Sequence, residues 1–173
     1  MTIAVDFDGT IVEHKYPEIG KELPFAFDSL KRLQENGHRI ILWTVREGER
    51  LDEAVEYCRR KGLEFYAVNS EYPDASWSGE GVSRKVQADV YIDDRSVGGI
   101  PDWTTIYDMI TSHLSFNDIL DKAIAGETLP ESLDFNNGSF NRPHRHHRSK
   151  RRRKGLFRWI AERCRASRTK FSK

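Results

Sequence analysis

Short apolar runs that close on polar turns, spaced by stretches of helical periodicity, restrict this chain to one broad class of fold. Residues 3–7 form the first run, Ile-Ala-Val-Asp-Phe, which leads straight into Asp8-Gly9-Thr10. A run this short, bounded by a turn signal, reads as a buried strand. Pro24 stands where a helix can start, Phe25, Phe27, Leu30 and Leu33 recur at roughly helical spacing, and Asn36-Gly37 supplies the stop. Residues 39–44 (Arg-Ile-Ile-Leu-Trp-Thr) predict a second strand. Residues 47–61 predict a second helix with Leu51, Ala54, Val55 and Cys58 on one face, ended by Gly62. A third strand is expected over 63–68, a loop over 69–81, and a fourth strand over 88–92 that closes on Asp93-Asp94. Helices over 104–113 and 116–125 complete the pattern. Strands joined through helices of this length imply right-handed crossovers and an α/β fold: a doubly wound, Rossmann-like parallel sheet with helices on both faces.

In such folds ligands bind beyond the carboxyl ends of the strands. That rule singles out Asp6, Asp8, Thr44, Asn69, Asp93 and Asp94. Unit charges 4 Å apart repel by roughly 4 kcal/mol at an effective dielectric near 20, so carboxylates gathered on one rim call for a cation. Oxygen-only ligation by a few carboxylates favours Mg²⁺, which keeps waters and accepts phosphate oxygens. The competing account has one or two of these acids capping helices or pairing with Arg46 and Arg95. An EF-hand reading of Asp6-Phe7-Asp8-Gly9 fails, because the third oxygen ligand and the terminal Glu are missing.

The formal net charge of +1 conceals a strong asymmetry. Residues 142–173 hold 14 Lys and Arg against the single acid Glu162, which leaves about −12 on residues 1–141. The reading is a catalytic domain over 1–127 and a linker with a basic tail over 128–173. The run 145–154 suits phosphate neutralisation on nucleic acid, and with Leu156, Phe157, Trp159 and Ile160 after it also suits an anionic membrane surface. A solvated tail folding back on the acidic body is the third reading. His144, His146 and His147 lack the Cys/His spacing of a structural zinc site. A hydrophobic fraction of 38% and a mean hydropathy of −0.68 also place part of the chain outside a core. No run is long and apolar enough to span a membrane, the first residues do not read as a secretory signal, and Cys58 and Cys164 do not form a disulfide framework. A cytoplasmic location is expected.

Asp6-Phe7-Asp8-Gly9-Thr10 after an apolar strand resembles the first signature of the haloacid dehalogenase-like hydrolases. Thr44 at the end of Ile-Ile-Leu-Trp is similar to their second motif. Lys85 stands where their third is expected, with Arg84 a weaker candidate, and Tyr91-Ile92-Asp93-Asp94 resembles their fourth. The order agrees over roughly residues 1–110. The resemblance implies that Asp6 is the nucleophile and forms an aspartyl phosphate. It implies that Asp8 is the general acid and base, its backbone carbonyl reaching the metal. Thr44 and Lys85 would bind the phosphoryl group. Asp93 would ligate Mg²⁺, and Asp94 would do so directly or through water.

Members of that family often carry a cap domain. Here residues 10–24 leave room only for a flap with His14, Lys15 and Tyr16, and residues 44–85 are used by a helix, a strand and a loop, so a capless enzyme is expected. Mutase and dehalogenase activities, which lean on caps, become unfavoured. An open site admits bulky substrates, or a neighbouring subunit of a homo-oligomer supplies the lid. His14, Lys15, Tyr16, Arg46, Asn69 and Trp77 are candidate substrate contacts by position; Cys58 reads as a small apolar residue. The leading expectation is therefore a Mg²⁺-dependent phosphatase acting on a phosphate monoester: a sugar phosphate, a nucleotide or a nucleic-acid end. The alternative is a non-catalytic Mg²⁺-holding module whose basic tail engages nucleic acid or an anionic surface.

Overall fold

The computed structural model describes residues 1–73 and 85–129. Its elements run β1 (Thr2–Val5), α1 (Ala26–Glu35), β2 (Arg39–Leu42), α2 (Gly48–Arg60), β3 (Ala67–Val68), β4 (Val90–Ile92), α3 (Trp103–Thr111) and α4 (Phe116–Ala125). The strands form one parallel sheet in the order β3-β2-β1-β4, with Val5 opposite Leu42 on one side and Ile92 on the other. Trp77, Arg84, the three histidines at 144–147, Cys164 and the whole basic segment 142–173 lie outside the described residues.

Side chains alternate across a strand, and the core follows that period. Ile3, Val5, Ile40, Leu42 and Ile92 share one cluster with Phe27, Leu30 and Leu33 of α1, Ala54 and Cys58 of α2, and Trp103, Ile106 and Ile110 of α3. Ile41 and Ala67 belong to a smaller cluster with Val86, flanked by Trp43 and Tyr66. Among the described residues, then, α1, α2 and α3 all feed the cluster on one face. These three helices share that face. The reason is the direction of travel: β1 to β2 to β3 steps one way across the sheet, and right-handed crossovers taken in one direction land on one face. Only the return from β3 to β4 crosses back, and residues 74–84 of that return are outside the described set.

All four strands are shorter than the runs that predict them. The backbone of Asp6 still donates to Ile92 O, but Phe7 O receives the N–H groups of Ile11 and Val12, so the chain turns at Phe7. The 63–68 run pairs late because Leu63 N closes back on Cys58 O and the first bond into the sheet is from Tyr66 N to Ile40 O. Asp102 caps α3 by accepting from the N–H groups of Thr104 and Thr105, and Ser115 with Asp118 forms a capping box on α4. Among the described residues no helix is long and apolar enough to cross a membrane. Cys58 is fully buried, and burial pushes its thiol up to about 12, which fits its reading as a small apolar side chain.

α3 matters to the site because of one indole. Trp103 is 2% exposed, and its Nε1 donates to Thr10 O at 2.8 Å, across 93 residues of sequence. Trp103→Phe leaves that buried carbonyl without a partner and is expected to cost about 1–3 kcal/mol, read as a lower midpoint in urea unfolding. An unchanged midpoint would mean that the bond contributes nothing to the fold.

Candidate functional site

The turn after β1 alternates between cleft and core. Phe7 is fully buried and meets Tyr57 edge-on at 6.4 Å between ring centroids, which anchors the turn from beneath. Asp6, next to it, is partly exposed at the strand end. Asp6, Asp93 and Asp94 each place a carboxylate oxygen within 4.8 Å of the others. Two strand ends therefore bring three of the four expected acids together. Asp93 Oδ1 accepts from the N–H of Arg95 at 2.8 Å. Asp94 Oδ1 is buried with no hydrogen-bond partner. A buried acceptor left alone is costly, so this oxygen is one that a further donor or a cation would satisfy.

Thr10 joins the two strand ends. Its fully buried hydroxyl accepts from the N–H of Asp94 at 3.1 Å and donates to Asp6 Oδ2 at 3.2 Å. Gly9 is required for the same approach. It sits at φ +94°, and a Cβ added there would lie 2.7 Å from Asp94 Cγ, well inside van der Waals contact. Burial raises Asp6 from 3.8 to about 7, with Asp93 and Asp94 adding to the rise, against the opposing bonds from the Phe7 backbone and the Thr10 hydroxyl.

Asp8 does not join this cluster through its carboxylate. Arg46 Nε donates to Asp8 Oδ2 at 2.6 Å and Nη2 to Oδ1 at 2.7 Å. Arg46 is fully buried, also donates to Pro17 O at 3.0 Å and Glu18 O at 2.9 Å, and lies 5.1 Å and 5.2 Å from the ring centroids of Phe7 and Tyr16. Removing one member of such a buried pair typically costs 3–5 kcal/mol. The simpler account of the acids as ion-pair partners thus holds for Asp8 with Arg46, while Arg95 meets Asp93 through its backbone. The Asp8 carbonyl has His14 Nδ1 at 3.5 Å, which puts the flap histidine over the turn.

Thr44 and Asn69 stand where expected. Asn69, at φ 49°, donates its backbone N–H to Leu42 O, accepts from Thr44 N at 2.8 Å with its side-chain oxygen and donates its side-chain amide to Arg46 O at 3.4 Å. It ties the ends of β2 and β3 and is a loop brace. Thr44 Oγ1 accepts from Arg46 N at 3.3 Å, so its hydroxyl proton can be given to a ligand oxygen. Lys85 lies with Nζ 4.7 Å from the Tyr91 ring centroid, on the wall of a cavity of about 280 Å³ that Trp43, Asp93 and Arg95 also line. Lys15 is exposed and pairs with Glu18. A second cavity, about 460 Å³, lies between β4, α3 and the start of α4; its lining includes Ile100, Ile106, Met109 and Leu114, and Tyr91, Ile92, Asp93 and Ser96 line both cavities. The bracing roles of Thr10, Arg46 and Trp103 were not legible beforehand. For Thr10 and Arg46 the available signal was their place beside Asp8 and Thr44.

No family model matches the chain, and no curated protein matches it. Among solved structures, a conserved protein from Bacteroides thetaiotaomicron is 64% identical over 69% of this chain and 96% of its own, with a TM-score of 0.65. The chain belongs to the family of that conserved protein. At this identity the strand-end residues sit on a scaffold that the two share.

Two outcomes follow from the geometry. Gly9→Ala is expected to push the Asp94 carboxylate out of the cluster and lower divalent-cation affinity at least about tenfold, since both φ and space forbid the side chain; calorimetric titration checks this, and unchanged affinity would sink it. For Asp6, the folded value lies above the ordinary one, so its contribution to stability is complete below about 3.8 and is lost as pH rises through about 7. In metal-free protein the melting-temperature difference between Asp6→Asn and wild type should therefore grow from pH 4 to beyond pH 7. A constant difference across that range would contradict the account of Asp6 as a buried, crowded carboxyl.

Proposed function

We propose that this protein is a Mg²⁺-dependent phosphatase of the haloacid dehalogenase-like type, capless and built on a doubly wound sheet. The doubly wound form requires the return from β3 to β4 to cover the second face. The observation that carries the reading is the convergence of Asp6, Asp93 and Asp94, with Asp94 Oδ1 buried and unpartnered. Three oxygen donors of this kind fit Mg²⁺, which, when bound, offsets negative charge on the cluster and on a phosphoryl group. Asp6, Asp93 and Asp94 would hold it, with the Asp8 carbonyl as the further donor that the resemblance suggests.

Within this reading Asp6 attacks phosphorus as the nucleophile and becomes an aspartyl phosphate. Thr44 donates a hydrogen bond from its hydroxyl to a phosphoryl oxygen, while that hydroxyl oxygen accepts from the N–H of Arg46. Lys85 and Arg95 supply positive charge on the cavity wall beside Asp93. The proton-transfer role that the resemblance gives Asp8 meets an obstacle in Arg46, which holds both of its carboxylate oxygens. That same pair is the one observation favouring the alternative, a Mg²⁺-holding module without turnover. Substrate, compartment and the partners of the basic segment rest on composition and position alone.

The test is hydrolysis of 4-nitrophenyl phosphate with Mg²⁺, alongside Mg²⁺ titration. Turnover is expected, lost with EDTA and reduced at least about 10³-fold by Asp6→Asn. Mg²⁺ affinity should weaken as pH falls below about 7, because a proton then competes for Asp6. Equal turnover by Asp6→Asn would remove the nucleophile, and binding without turnover would favour the module.

A further inference from the structure

The carboxylate two residues beyond Asp6 is not offered to the cleft. Asp8 has a side-chain exposure of 6% and Arg46 of 0%, and each carboxylate oxygen accepts a separate guanidinium N–H. Arg46 cannot follow Asp8 outward, because its Nη1 also donates to Pro17 O and its Nη2 to Glu18 O, and its guanidinium lies over the rings of Phe7 and Tyr16. Delivering a proton to a departing oxygen would require Asp8 to give up at least one of those bonds and leave the guanidinium buried with half its counter-charge. Beside Asp93, in contrast, lies a cavity lined by two cations, Lys85 and Arg95, with Trp43 and Tyr91.

We infer that this protein takes phosphoryl compounds whose leaving group departs as an anion without being protonated. The chemical class is phosphoric anhydrides, acyl phosphates and aryl phosphates, as against alkyl esters such as sugar phosphates. The inference rests on the phosphatase reading and sharpens it. In the first step a bond forms between an Asp6 oxygen and phosphorus while the bond from phosphorus to the leaving oxygen breaks, its electron pair staying on that oxygen. In the second, water attacks phosphorus and the electron pair of the aspartyl bond returns to Asp6. The net change is ROPO₃²⁻ + H₂O → RO⁻ + H₂PO₄⁻. An alkoxide cannot leave in this way, whereas a phosphate, a carboxylate or a stabilised phenolate can.

The experiment is a series of ring-substituted phenyl phosphates, alike in shape and graded in leaving-group acidity, with acetyl phosphate, pyrophosphate and glycerol phosphate added. Without a positioned acid, worth roughly 10²–10⁴-fold, kcat/KM is expected to fall by about a hundredfold or more from 4-nitrophenyl to phenyl phosphate, with glycerol phosphate lower still. Rates within about fivefold across the aryl series, with glycerol phosphate comparable, would mean that a proton is being delivered and would overturn the inference while leaving the phosphatase reading intact. No turnover of any compound, with Mg²⁺ bound, would instead remove the phosphatase reading and the inference with it.

Discussion

A guanidinium with no solvent contact organises the rim of this protein. Arg46 leaves the loop after β2, reaches the turn after β1 at Asp8, and holds the flap by two backbone carbonyls. A buried charge is tolerable only when paired and hydrogen-bonded, and here it is satisfied by one carboxylate and two carbonyls between aromatic rings. The planar fork makes this possible; a lysine could not bond both oxygens of Asp8 while also spanning Pro17 and Glu18. The position of the turn, and hence of Asp6, depends on it.

The neighbouring carboxylates show the opposite balance. Asp6, Asp93 and Asp94 approach one another with the Thr10 hydroxyl and backbone N–H groups as their seen partners, and one buried oxygen of Asp94 has none. The fold could have separated them at little cost to its core, since Phe7 and Ile92, not the acids, do the packing. Burial raises Asp6 toward neutrality, and the nearby Asp93 and Asp94 add to the rise. The rim thus sets an Asp8 paired on both oxygens beside three crowded acids, one of which, Asp94, keeps a buried oxygen without a partner among the described residues.

Much of this was legible residue by residue. The apolar runs at Ile3, Ile40 and Val90 and the polar residues that close them read correctly as strands ending at one rim, because period-two burial and turn chemistry are local properties. Thr44 and Asn69 could be placed by the same rule. The pairing of Asp8 with Arg46 could be raised as a competing account but not decided, since 38 residues separate the two. The indole of Trp103 on the Thr10 carbonyl gave no local signal at all, for it depends on where α3 lands after the sheet is built.

By itself, the amino-acid sequence determined an α/β domain with a parallel sheet and a row of oxygen-bearing side chains at the strand ends, since helix and strand periods and strand-closing turns are written in neighbouring residues. Tertiary structure alone decided which acids face one another and which is neutralised. Those outcomes depend on distances of a few ångströms between separate loops, and on whether a buried guanidinium or an empty valence stands opposite each carboxylate.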